Sequence, residues 1–188
     1  MTKSFLAALV IGAAALTACE SAEQKAERIA VEQAALASCP ADQIISDVSA
    51  YPLDLPVYDN EQAAAFHAVL GEREGVTTTA SGLQYSVVQS GNAKGPQPAP
   101  TNVVSVNYHG VFPDGTKFDS SYDRGQPTEF PLNRVISGWT EGVGLMRPCD
   151  AWTFYIPSDL AYGKRGAGGA IGPDTPLVFH VQLIEVSD

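Results

Sequence analysis

Twelve residues, Val135-Ile-Ser-Gly-Trp-Thr-Glu-Gly-Val-Gly-Leu-Met146, place the tightest condition on how this chain can fold. The segment is too short and too rich in glycine to hold a helix by itself. Yet Val135, Ile136, Trp139, Val143 and Met146 recur at spacings that put most of them on one helical face. Such a helix persists only under cover, and the surrounding period-two segments supply it. Val104, Val106, Tyr108 and Phe112 face one way, with Ser105, Asn107 and His109 facing the other. Leu177, Phe179, Val181 and Leu183 likewise oppose His180 and Gln182. Trp152, Phe154 and Ile156 repeat the alternation, as do Leu83, Tyr85 and Val87. The expected class is α+β, a one-sided antiparallel sheet with one short helix laid across it. Trp139 would then be the floor of whatever the sheet leaves open.

The chain starts with Lys3 and an apolar run from Phe5 to Leu16, the pattern of a secretory signal. The run is too short for a permanent membrane span. Leu16-Thr-Ala-Cys19 resembles the lipobox of bacterial lipoproteins, in which the cysteine becomes the acylated first residue. Cleavage of an ordinary secreted protein near Ala15 is the alternative. Glu20 after the cysteine favours the outer membrane, by resemblance to lipoprotein sorting. The expected location is therefore extracytoplasmic, lipid-anchored on the periplasmic side of a membrane. Loss of residues 1–18 takes Lys3 away and leaves 10 basic against 21 acidic residues, a balance of −11. Nucleic acid and anionic surfaces are poor partners for such a chain.

Two cysteines remain, Cys39 and Cys149, and in an oxidising compartment leftover thiols pair more often than they stay free. Their pairing is the expectation and two free thiols the alternative. No cysteine–histidine cluster has zinc spacing, and no metal or cofactor is expected. His67, His109 and His180 stand singly and read as solvated or capping side chains. Residues 20–38 are rich in Ala, Glu and Gln and read as a helical stalk, a dimerising helix being the sharper alternative. Pro40, Pro52 and Pro56 mark an extended connection. Asp59 or Asn60 can cap a helix running to Leu70, with Ala63, Phe66 and Leu70 on one face. The expected organisation is a signal over 1–18, an arm over 19–75 and a domain over 76–188. Lys164–Pro173 lacks the spacing of a phosphate loop and reads as a flap beside a pocket.

Tyr108-His-Gly, Gly115-Thr-Lys-Phe-Asp-Ser-Ser121, Val135-Ile-Ser-Gly-Trp139, Ala161-Tyr-Gly163 and Thr175-Pro-Leu-Val-Phe179 resemble the FKBP-type peptidyl-prolyl cis-trans isomerases. The likeness covers about Thr77 to Val186, and the macrophage-infectivity-potentiator branch is nearest in style. It implies a curved sheet wrapped around one short helix. It also implies a proline pocket of Tyr108, Phe118, Asp119, Val135, Ile136, Trp139, Tyr162, Ile171 and Phe179. By the same resemblance Tyr162 and the Ile136 N–H hold the peptide, and Asp119 lies near the reacting carbonyl. Taken singly, Trp139 and Phe179 could be plain core, Asp119 a turn residue and Tyr162 a surface phenol. Their joint order is what those readings leave unexplained. Three positions depart from the family. Thr128, at the substrate rim, replaces a common bulky aromatic, Ala170 a larger apolar residue, and Cys149 a usual glycine.

The implied partners are proline-containing polypeptides and macrolide inhibitors. The implied activity is prolyl isomerisation in the folding of extracytoplasmic proteins, by withdrawing water from the X–Pro amide and orienting it. A binding module or holdase using the same pocket without significant turnover is the alternative. A structural lipoprotein with a vestigial domain is a third reading.

Overall fold

The computed structural model describes residues 21–52, 55–56 and 63–188. The signal run, Cys19, Asp59 and Asn60 lie outside these residues. Helix α1 (Ala22–Leu36) buries none of its side chains. Its start is a capping box: Gln24 N–H donates to Ser21 Oγ at 3.2 Å, and Ser21 N–H to Gln24 Oε1 at 3.0 Å.

The compact unit runs from Ala35 to Asp188. Its seven strands are β1 (Val76–Thr78), β2 (Gln84–Gln89), β3 (Val103–Val111), β4 (Lys117–Ser120), β5 (Thr128–Pro131), β6 (Ala151–Ile156) and β7 (Leu177–Ser187). They form one antiparallel sheet in the order β1-β2-β6-β7-β3-β4. β5 pairs with the first half of β3 and β4 with the second. Helix α3 (Ser137–Leu145) lies against the inner face, where Trp139 and Val143 join Val104, Val106, Phe154, Val181 and Leu183 in the main core. Its glycines explain how closely it sits. A Cβ on Gly142 would lie 2.7 Å from the Phe154 ring, and one on Gly138 would lie 2.6 Å from Ile156 Cγ2. Glycine costs helix propensity here, but any side chain would lift the helix off β6.

The sheet is not one-sided. Helix α2 (Ala63–Gly71) packs Phe66 and Leu70 on the outer face against Val111, Tyr155 and Val178. Beside it the segment 37–52 is bound along β7. Cys39 N–H donates to Ile184 O at 2.6 Å, and Val186 N–H to Ala37 O at 2.9 Å. The Gln182 amide accepts from Ile45 N–H at 2.7 Å and donates to Gln43 O at 2.9 Å. The compact unit thus begins near residue 35 rather than at 76. The expected arm is largely a second cover for the sheet, because β7 presents it with hydrogen-bonding side chains as well as a backbone edge.

The histidine reading needs the same correction. His180 is 0% exposed, stacked on Tyr51 with ring centroids 4.8 Å apart, and its Nδ1 lies 2.8 Å from Thr153 Oγ1. His67 Nδ1 meets Gln84 Oε1 at 2.9 Å, and His109 Nδ1 meets Ser120 Oγ at 3.2 Å. Burial lowers the pKa of all three, that of His180 to about 4, so these imidazoles stay neutral at neutral pH.

Cys39 and Cys149 are joined, with Cα atoms 4.9 Å apart and a separation of 110 positions in sequence. A loop of this length lets the chain-entropy model assign about 4–5 kcal/mol to the bridge. Cys149 has φ of 71°, the left-handed region, which accounts for a glycine being usual at this position. An L-residue held there costs about 1–2 kcal/mol. Cys39→Ser combined with Cys149→Gly is therefore expected to unfold at higher urea than Cys39→Ser with Cys149→Ser, by about 1 kcal/mol. Equal midpoints would show that the left-handed turn carries no strain.

Candidate active site

Trp139 forms the base of a cleft of about 650 Å³. It lies in the first turn of α3, and the lack of side chains at Gly138 and Gly142 lets the helix bring it close to the sheet. Tyr108, Phe130 and Phe179 each meet its indole edge-on, at centroid distances of 5.4, 5.7 and 5.2 Å. Phe118 stands perpendicular to Phe179 at 5.3 Å. Gly110, between these rings, has no room for a side chain: a Cβ would lie 2.7 Å from Phe118.

The cleft mouth is formed by Val135 and Ile136 on one side and by the β6–β7 connection on the other, through Tyr162, Ala167, Ala170 and Ile171. The connection ends in a small hairpin, with Ala167 and Ile171 exchanging backbone hydrogen bonds of 2.9 and 3.2 Å. Two groups at this mouth are unpaired among the described residues. The Ile136 carbonyl accepts from Trp139 and Thr140 N–H at 3.0 and 3.1 Å, but its own N–H meets no acceptor. The Tyr162 side chain, 40% exposed, has no hydrogen-bond partner.

One wall is polar. The Tyr108 hydroxyl donates to Asp119 Oδ2, and Arg124 clamps both, its Nη1 2.8 Å from Asp119 Oδ1 and its Nη2 2.7 Å from the Tyr108 hydroxyl. The guanidinium also lies over the Tyr108 ring, 5.3 Å from its centroid. Burial pushes Asp119 up, but the bonds from Tyr108 and Arg124 outweigh it and hold the carboxyl below its ordinary value of 3.8. Burial and the Asp119 bond push Tyr108 up to about 12. At neutral pH the wall is thus an ionised carboxylate beside a neutral phenol.

The structure places Tyr108, Phe118, Asp119, Val135, Ile136, Trp139, Tyr162, Ile171 and Phe179 around this one cleft. Thr128 is not among the lining residues; its hydroxyl accepts from Arg124 Nη2 at 3.1 Å. Phe130, two positions on and on the same face of β5, supplies the aromatic wall instead. Phe130, Arg124 and Arg134 are site residues that reading the sequence missed. For Phe130 the signal was the alternation with Thr128, whereas Arg124 sits in a turn with no periodicity to mark it.

A folded sheet around one helix, with an aromatic cleft at the helix start, defines a class of small pocket-bearing domain. The chain belongs to the FKBP-type peptidyl-prolyl cis-trans isomerase family. The family model of that description matches residues 95–184, and a second, for the domain amino-terminal to FKBP-type peptidyl-prolyl isomerase, matches 57–87. The chain is 48% identical over 126 residues to the peptidyl-prolyl cis-trans isomerase Mip of Coxiella burnetii, covering 67% of this chain and 54% of that protein. It is 48% identical over 128 residues to a probable FKBP-type isomerase, FkpA, of Neisseria meningitidis, covering 68% and 46%. Among solved structures, a peptidyl-prolyl cis-trans isomerase of Pseudomonas syringae pv. tomato is 40% identical with a TM-score of 0.63, covering 71% of this chain and 99% of that one. FkpA of Escherichia coli is 41% identical with a TM-score of 0.64, covering 68% and 58%. The chain spans about half the length of the curated relatives it matches.

Arg124→Gln removes one of the bonds that hold Asp119 ionised. The Asp119 carboxyl is expected to titrate at higher pH in this variant, read by NMR of its carboxyl carbon. An unchanged midpoint would show that Arg124 does not set the electrostatics of the wall.

Proposed function

We propose that this cleft catalyses cis-trans isomerisation of X–Pro bonds in polypeptides. The observation that carries the reading is an indole floor ringed by three edge-on aromatics, beneath two unpaired hydrogen-bonding groups at the cleft mouth. Rotation about the X–Pro bond breaks amide resonance, at a barrier of about 18–20 kcal/mol. No bond is made or broken, so the chemistry needs no nucleophile and no proton carrier. The planar amide is more dipolar than the twisted one, and water favours it. An aromatic cleft withdraws that water and suits the twisted form, each ~1.4 kcal/mol of preference giving tenfold in rate. In this reading Ile136 N–H and the Tyr162 hydroxyl, both without an internal partner among the described residues, hold the peptide, and the Asp119 carboxylate faces charge that shifts as the carbonyl turns. Macrolide inhibitors are ligands of the same cleft.

A proline-limited isomerisation assay on the protein with and without a macrolide tests this. Trp139→Ala is expected to lower kcat/KM by at least about tenfold beyond what lost stability explains, and Tyr162→Phe by no more than about tenfold, as one hydrogen bond allows. With Asp119 ionised and Tyr108 neutral, the rate is expected to stay flat from about pH 6 to about pH 9. A bell-shaped profile near neutrality, or full activity in Trp139→Ala, would overturn the mechanism. Binding without turnover would make the domain a holdase.

The reading extends to location. Among the described residues no helix is long and apolar enough to cross a membrane. A relative 41% identical over 122 residues is the outer membrane protein MIP of Legionella longbeachae. Leu16–Cys19 supports a lipid anchor at Cys19, facing the periplasm from the outer membrane, since several acyl chains hold a protein on a bilayer almost irreversibly. Membrane fractions of the native host are expected to contain protein with acylated Cys19 as first residue, and Cys19→Ser is expected to move it to the soluble fraction. Wild-type protein already soluble would reject the anchor.

A further inference from the structure

The polar wall of the cleft is braced from the far side of the sheet. Asp119 stands on β4, and the guanidinium paired with it belongs to the turn Tyr122–Arg124. On the outer face, beneath the segment 37–52, three rings form a column. Tyr51, 2% exposed, stacks on His180 with centroids 4.8 Å apart, and His180 lies nearly parallel to His109 at 6.2 Å. His109 Nδ1 then meets Ser120 Oγ at 3.2 Å. β3 and β4 pair His109 with Ser120 and Gly110 with Asp119, so the column ends one residue from the carboxylate, on the opposite face. A second route ends on Arg124. The Tyr51 and Tyr122 hydroxyls are both shut off from solvent, and neither completes a hydrogen bond among the described residues. Burial raises the pKa of both phenols, and each also acts on the other, as neighbouring groups do. The turn is tied to β3 by Ser121, whose N–H donates to Tyr108 O and whose hydroxyl accepts from Tyr108 N–H, both at 2.9 Å. It thus has its backbone fixed on β3, Tyr122 turned to the outer segment and Arg124 turned to the cleft.

We infer that Tyr51, although outside the cleft, is a positioning residue for the Asp119–Arg124 pair. Its ring supports β4 through the histidine column and the turn Tyr122–Arg124 through Tyr122. Such a pair needs support. Its side chains are 41% and 46% exposed, and an exposed ion pair gains little beyond the entropy it costs to hold two side chains in one geometry. Replacing Tyr51 does not free the whole segment, because the Cys39–Cys149 bridge and the two bonds of the Gln182 amide still hold it on the sheet. What is lost is the contact from which both routes start. Only the effect on turnover rests on the isomerase reading, in which the Asp119 carboxylate faces the turning carbonyl.

The test compares Tyr51→Ala, Tyr51→Phe and Tyr122→Leu in the full chain. Leu70→Ala serves as a destabilised control, since its side chain packs elsewhere on the outer face. Two readouts are taken: titration of the Asp119 carboxyl carbon by NMR, and kcat and KM on a proline peptide. In Tyr51→Ala the carboxyl is expected to titrate at higher pH, part of the way to its position in Arg124→Gln. The same variant is expected to lose roughly two- to tenfold in kcat with KM little changed. Tyr51→Phe keeps the stacked ring and is expected to retain wild-type values, and Tyr122→Leu, which cuts one route, to fall between the two. Tyr51→Ala combined with Arg124→Gln is expected to move the carboxyl by less than the sum of the single changes, as residues acting through one another do. A midpoint unmoved in both Tyr51→Ala and Tyr122→Leu, or moved as far in Leu70→Ala, would overturn the inference. If Tyr51→Ala does not fold, Tyr122→Leu decides alone. If the midpoint moves as expected but no peptide is isomerised, the positioning role stands and the enzymatic reading falls.

Discussion

The site depends on how closely α3 approaches β6. Gly138 and Gly142 lie one turn apart, and each replaces a side chain with contact to Ile156 or Phe154. The approach brings Trp139 far enough into the sheet for Tyr108, Phe130 and Phe179 to meet its edges. A helix of nine residues containing three glycines would not survive in water. Tertiary cover thus supplies the stability that propensity withholds, and the weakness of the helix is the condition for the depth of its packing. Adding a methyl group at either glycine would trade better propensity for overpacking, which typically costs about 1–3 kcal/mol.

How far the sequence discloses this structure varies with the distance over which partners are found. The inner face was legible: Leu177, Phe179, Val181 and Leu183 alternate, and each is buried. The opposite side of the same strand was not. His180 and Gln182 read as solvent-facing because polar residues in an alternating strand usually are, yet both are 0% exposed. Their partners, Tyr51, Gln43 and Ile45, lie more than a hundred residues earlier in a segment without periodicity. Polar alternation marks a face that needs hydrogen bonds, and it does not tell water from a distant segment that supplies them.

The cleft shows the same division. Motif order located its apolar lining, since ring-bearing positions are tied to strands and to the helix start. It did not locate Arg124, whose role follows from a turn placing the guanidinium against two side chains at once. Nor did it show that Thr128 faces this guanidinium while Phe130 takes the aromatic position. Together Tyr108, Asp119 and Arg124 keep a charge beside an apolar floor without a proton leaving or arriving at neutral pH. That suits chemistry in which charge is redistributed within an amide rather than transferred.

The bridge between Cys39 and Cys149 has a mechanical meaning. A pull on the chain ahead of residue 37 reaches the domain along β7, through backbone bonds at Ala37 and Cys39 that are loaded in shear. At Cys39 the load passes through sulfur to Cys149, which sits between α3 and β6. Residues 40–148, including most of the cleft's walls, are thereby bypassed. Force applied from the amino-terminal side is borne by a covalent link beside β6 and β7 rather than by the segment that builds most of the cleft.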